Sequence, residues 1–266
     1  MSDPSAERRA PRAARAADRE PLPVKVLRHG SSADAARAVA QEVVALVAER
    51  PTAVLGLATG GTMVEIYAAC VERAASEGVS FDRVRTFNLD EYVGPVAPER
   101  TFRAYMEEHF FGPFGIEPGP HAFPDAARAA TDALGAARAY EDAIGRAGGI
   151  DLQLLGIGRN GHVAFNEPPA SASSRTRVVE LDAVTRADAG AAFGGVERVP
   201  ARAITVGLAT ILEARRVRLV AFGASKAPAV ERALLGPVTG TLPASLLRGH
   251  ADVSFVLDAG AASGLG

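Results

Sequence analysis

The stretch Ala53-Val-Leu-Gly-Leu-Ala-Thr-Gly-Gly-Thr-Met-Val-Glu-Ile-Tyr-Ala-Ala-Cys70 decides the fold. Residues 53–57 form a short apolar run bounded by a glycine turn, the signature of a buried strand. Residues 63–75 carry apolar side chains at helical spacing. Between them, Thr59, Gly60, Gly61 and Thr62 make a turn with almost no side-chain bulk. There the backbone can approach a ligand, and the free N–H groups of the helix start favour an anion.

The same alternation repeats outward in both directions. Further strands are expected at 24–28, 84–89, 152–157, 176–181, 204–206, 217–222 and 253–257. Further helices are expected at 35–47, with Ser31 or Ser32 as cap, and at 102–111, 126–146 and 227–235. Strands alternating with helices imply a three-layer α/β/α, Rossmann-like domain with a mostly parallel sheet. It is expected over 23–266. Residues 1–22 mix Arg, Ala, Pro and acids without apolar periodicity and read as a disordered tail.

Composition narrows the function classes. The chain has 29 basic and 31 acidic side chains and a net charge of −2, so no basic excess supports nucleic-acid or membrane-surface binding. No apolar run approaches the ~18 residues needed to span a bilayer. With a single cysteine, Cys70, in an apolar helical stretch, an inert thiol and a cytoplasmic protein are expected. No metal-ligand spacing occurs, and no metal is expected. Only two lysines, Lys25 and Lys226, and three asparagines, Asn88, Asn160 and Asn166, are used, so each is a candidate for a specific task.

In an open α/β sheet, ligands bind beyond the carboxyl ends of the strands. Four post-strand segments carry chemistry there: Thr59–Thr62; Asp90-Glu91-Tyr92; Gly158-Arg-Asn-Gly-His162; and Gly223-Ala-Ser-Lys226. Lys226, at a strand-to-helix junction, suits a phosphate contact. Asp90 or Glu91 suits a general base, or alternatively a helix cap with a solvent-facing acid beside it. His162 and Glu167 can face one cavity as imidazole and carboxylate. The other histidines (His29, His109, His121 and His250) have no such company and read as surface or capping residues.

Leu55-Gly-Leu-Ala-Thr-Gly-Gly-Thr62, Thr86-Phe-Asn-Leu-Asp-Glu-Tyr92, Gly156-Ile-Gly-Arg-Asn-Gly-His-Val-Ala-Phe-Asn-Glu-Pro168 and Ser174-Arg-Thr-Arg177 together resemble the glucosamine-6-phosphate deaminase family. Order and spacing agree from about Val24 to Asp258. The related 6-phosphogluconolactonases share the fold and a Gly-His turn, whereas Phe-Asn-Glu-Pro resembles the deaminase branch. The resemblance implies conversion of glucosamine 6-phosphate and water to fructose 6-phosphate and ammonium, that is, hydrolysis of a C–N bond with ketol isomerisation, and no organic cofactor. It implies that His162, with Glu167 and Asn160, opens the sugar ring. Asp90 would be the general base at C2, and Thr59, Gly60, Gly61, Thr62 and Lys226 would hold the phosphate.

Two positions depart from the family pattern. Asn160 stands where many members have Asp, and its amide oxygen is expected to accept a ring N–H from His162 and fix its tautomer. Ala191 stands where members carry a phosphate-contacting Arg, and Arg177 and Arg186 are the nearby replacements. The chain also stops soon after its last strand, so a monomer or small homo-oligomer is expected. The alternatives are a deaminase of another amino-sugar phosphate such as galactosamine 6-phosphate, a lactone hydrolase, and a non-catalytic sugar-phosphate sensor.

Overall fold

The structure is a computed structural model and describes residues 24–266; the tail expected over 1–22 lies outside the described residues. Among the described residues, six strands make an all-parallel sheet: β1 (Lys25–His29), β2 (Val54–Leu57), β3 (Arg85–Asn88), β5 (Leu152–Leu155), β8 (Arg216–Ala221) and β9 (Val253–Asp258). Their order across the sheet is β1-β9-β8-β5-β2-β3. The crossovers carry α1 (Ser32–Glu49), α2 (Gly61–Glu77), α6 (Ala133–Arg146) and α8 (Ala227–Leu235). Parallel strands need such crossovers, and the helices cover the sheet, so β2 and β5 are buried at every position. The expected α/β/α architecture is present.

Local sequence explains the helix boundaries. Of the two serines offered as caps, Ser31 accepts the Asp34 N–H at 3.1 Å and starts α1. Gly78, at φ +66°, ends α2 in the left-handed conformation. The helix expected over 126–146 is broken, because Asp132 turns the chain and accepts the Gly135 N–H at 2.8 Å, separating α5 (Ala126–Ala129) from α6. The helix expected over 102–111 is α3 (Phe102–Met106), which runs into a π-helical turn at Glu107–Phe111 and then α4 (Gly112–Phe114). That turn places Phe110 and Phe111 side by side in the core, with Phe110 edge-on to Tyr67 at 5.2 Å. Burying an aromatic of this size contributes about 2–3 kcal/mol.

The largest departure from the expected single sheet is a second, antiparallel one. β4 (Asp90–Val93), β7 (Arg202–Thr205) and β6 (Arg177–Glu180) pair in the order β4-β7-β6. Asp90 and Glu91 therefore open a buried strand, and neither is the solvent-facing acid of the alternative reading. Leu89 is the hinge between the sheets. Its N–H donates to Leu57 O at 3.1 Å, and its carbonyl accepts the Val206 N–H at 2.7 Å. Against this sheet lies α7 (Ala183–Phe193), a helix the periodicity does not reveal. Tyr92, Phe165, Leu181 and Phe193 form a small core beneath it, separate from the main one.

Candidate active site

The chain leaves β2 first toward β3 and later returns to β5 on the other side of β2, so the topological switch point lies between β2 and β5. A cavity of about 850 Å³ opens there. Thr59, Gly60, Gly61, Thr62, Asp90, His162 and Lys226 all line it, so the four post-strand segments do converge. Asn160 and Glu167 stand behind His162 and reach the cavity only through it.

Gly60 has φ +111°, a conformation closed to most L side chains, and starts α2 without a side-chain cap. The first-turn N–H groups of α2 thus have no side-chain acceptor competing with a ligand. Tyr105 of α3 donates its hydroxyl to Gly60 O at 2.8 Å and ties the turn to that helix. Lys226 donates to Ile157 O at 2.9 Å, and burial lowers its pKa.

Asp90 is 7% exposed, and its carboxyl group makes no hydrogen bond among the described residues. Burial, and then the charge of Glu91, push it up to about 8. Glu91 is equally buried but accepts the N–H groups of Tyr92, Phe102 and Arg103 at 2.9–3.0 Å. Burial raises its pKa as well, and those three donors oppose the rise. Of two adjacent acids, one is therefore committed to holding the start of α3, and the other is left with its proton equilibrium facing the cavity. Glu91→Gln removes the like charge beside Asp90. A carboxyl ¹³C titration is then expected to show the Asp90 pKa lowered, and an unchanged or higher value would refute the coupling.

His162 sits in a turn that only Gly158 permits, because a Cβ at residue 158 would lie 2.2 Å from the imidazole. The ring Nδ1 is 3.2 Å from Glu167 Oε2 and 3.3 Å from Thr185 Oγ1. Thr185 donates to Glu167 Oε1 at 2.5 Å, and Asn160 Nδ2 donates to Glu167 Oε2 at 2.8 Å. Burial works to raise the Glu167 pKa, but the His162, Thr185 and Asn160 contacts outweigh it and leave the carboxyl below its ordinary value. The expectation for Asn160 is corrected: its oxygen accepts the backbone N–H of His162 at 3.1 Å, not a ring N–H. The ring is oriented by Glu167, because the short Asn160 side chain folds back on its own turn. Ala164, at φ +50°, and Asn166, which donates to Val163 O and Val206 O, bend the chain so that Glu167 returns beneath His162.

Neither expected replacement for the missing arginine reaches the cavity. Arg177 donates to Asn166 Oδ1 at 2.9 Å, and Arg186 donates to Val196 O and Val199 O at 3.2 Å. Both guanidiniums hold the second sheet and α7 in place. Thr185, Arg100 and Tyr105 belong to the site and carry no sequence motif; Thr185 sits on the helix that periodicity does not reveal. Cys70 is buried, and burial raises its thiol to about 12, in line with an inert side chain. His250 is buried between Ala214 O and the Asp252 N–H, a capping role as expected.

A glycine turn and a lysine in the cavity wall, with a buried acid unpartnered among the described residues and a carboxylate-backed imidazole, define an α/β protein equipped to bind a small anionic molecule beside acid–base groups. Comparison with known proteins resolves the class. Residues 28–255 match the family described as Glucosamine-6-phosphate isomerases/6-phosphogluconolactonase, and the chain belongs to that family. A glucosamine-6-phosphate deaminase of Rhodopirellula baltica is 48% identical over 227 residues, covering 85% of this chain and 89% of the relative. One of Hahella chejuensis is 44% identical over 232 residues, covering 86% and 87%. Among solved structures, a monomeric glucosamine-6-phosphate deaminase superposes with a TM-score of 0.86 at 38% identity, over 91% of this chain and all of that one. A 6-phosphogluconolactonase of Trypanosoma brucei shares the fold, with a TM-score of 0.71 at 22% identity over 91% of this chain and 99% of that one.

Proposed function

We propose that the protein converts glucosamine 6-phosphate and water to fructose 6-phosphate and ammonium. The observation that carries the mechanism is Asp90, a buried carboxyl group that faces the cavity and has no hydrogen-bond partner among the described residues. The phosphate end sits against the Thr59–Thr62 turn and Lys226, so binding energy remote from the reacting carbons positions them. His162, backed by Glu167 and Asn160, moves a proton from the anomeric hydroxyl to the ring oxygen and opens the ring. Asp90, once ionised, removes the C2 proton and returns it to C1, while one proton of the sugar's ammonium group passes to the C1 oxygen, leaving a hydroxyl at C1 and an iminium at C2. Water adds to that carbon and ammonia departs, so the C–N bond is broken hydrolytically and a ketone is formed.

A carboxyl pushed up to about 8 is a stronger base than an ordinary aspartate, and the amino group of the bound sugar supplies a positive charge that favours its ionised form. The reading includes a cytoplasmic protein that is a monomer or small homo-oligomer, which the monomeric relative supports. Incubated with glucosamine 6-phosphate, the purified protein is expected to release ammonium and fructose 6-phosphate in equal amounts. Galactosamine 6-phosphate and 6-phosphogluconolactone serve as parallel substrates. Lactone hydrolysis without ammonium from either amino sugar would overturn the proposal.

A further inference from the structure

A phosphate monoester brings close to two negative charges into this cavity, whose walls also hold the carboxyl groups of Asp90, Glu99 and Asp188. Asp188 is neutralised by its ion pair with Arg159. Among the described residues, two basic side chains besides His162 line the cavity: Lys226 and Arg100. The facing stretch of α7 presents Ala189, Ala192 and Phe193 and adds no charge. Lys226 alone leaves the walls no more than neutral toward an incoming dianion once Asp90 ionises.

We propose that Arg100 is a specificity-determining residue of the site, a second cation that grips the phosphate of the substrate. The proposal rests on the phosphosugar reading above. Arg100 ends a 3₁₀ turn at Pro98–Arg100, directly before α3. Its guanidinium carbon stands 5.8 Å from the Phe193 ring centroid, and no carboxylate lies within ion-pair distance among the described residues. Lying over an aromatic face with no carboxylate to claim its N–H groups, the guanidinium keeps them for a forked contact with phosphate oxygens.

The backbone beneath Arg100 is held on both sides. Thr101 donates to Pro98 O at 2.8 Å and accepts the Ala104 N–H, and Glu91 accepts the Phe102 and Arg103 N–H groups. One turn further along α3, Tyr105 is bonded to Gly60 O, so Arg100 and the glycine turn are parts of one tied wall. The other arginines near the site are already engaged, Arg159 with Asp188, Arg177 with Asn166 and Arg186 with two carbonyls, and Arg103, over the Phe123 ring, does not line the cavity.

The test uses the intact protein with Arg100→Gln and Arg100→Lys, measuring binding of inorganic phosphate by calorimetry and steady-state kinetics with glucosamine 6-phosphate. For Arg100→Gln, phosphate affinity is expected to fall about tenfold or more. KM should rise by a similar factor while kcat stays within about threefold, and Arg100→Lys should recover part of the loss. Unchanged phosphate affinity in Arg100→Gln would overturn the inference, as would a loss of kcat with unchanged KM. Phosphate binding is read independently of turnover. A parent protein that binds phosphate through Arg100 but releases no ammonium would retire the deaminase reading alone; an active parent indifferent to Arg100 would retire this inference alone.

Discussion

Asp90→Asn is expected to lower kcat by about 10³-fold while making the protein more stable in alkaline buffer. Both effects come from the same burial. Asparagine keeps the shape of the side chain but cannot take the C2 proton, so the loss falls on kcat more than on KM. On stability, the folded protein holds the Asp90 proton until about pH 8, whereas an unperturbed carboxyl releases it near 3.8. Between those values the unfolded chain binds fewer protons than the folded one, so this group costs stability as pH rises across the window and nothing further above it. The cost reaches a few kcal/mol, on the order of that seen when a carboxylate is buried without a partner. Asp90→Asn removes it. Melting temperatures should therefore diverge as pH rises from about 4 to 8, with the variant higher by roughly 5 °C or more at pH 8.5. The parent enzyme should also lose kcat/KM about tenfold per pH unit below the Asp90 pKa. A variant that retains turnover, or a melting difference that does not grow with pH, would remove Asp90 as the buried base.

His162→Gln tests the other half of the mechanism and is expected to reduce kcat by about 10²-fold or more. Glutamine can still hydrogen-bond but cannot carry a proton between the two sugar oxygens. If His162 opens the ring, its loss makes ring opening the slow step. Any isotope effect from deuterium at C2 in the parent protein should then shrink toward unity. Glu167→Gln should act in the same direction, because it removes the charge placed 3.2 Å from Nδ1. Retained turnover in His162→Gln, or an undiminished C2 isotope effect, would assign ring opening elsewhere.

Much of the site was legible in the sequence because its parts are local. Gly60-Gly61 between an apolar run and a helical one can be read as a ligand-approaching turn, and the rarity of lysine singles out Lys226. His162 and Glu167 are five residues apart, so their meeting needs only one bend. What the sequence hides are contacts made across the fold. Thr185 touches His162 and Glu167 from a helix whose weak apolar periodicity gives no warning of it. Asn160 takes the backbone N–H of His162 in place of a ring N–H because its own backbone turn decides where its short side chain reaches.

Glu91 and Asp90 mark the boundary most clearly. The sequence by itself determined that two acids follow an apolar strand, that a three-layer α/β/α fold holds them, and that four post-strand segments meet at one edge. Those conclusions rest on periodicity and on turn chemistry, which act over a few residues. Only the tertiary structure decided which acid is free. Leu89 hands the chain from the parallel sheet to the antiparallel one, so the pair is buried in β4. The N–H groups at the start of α3 then claim Glu91 and leave Asp90 unpartnered. Desolvation and hydrogen-bond partnership depend on what the rest of the chain packs around a residue, and that information lies in no single stretch of it.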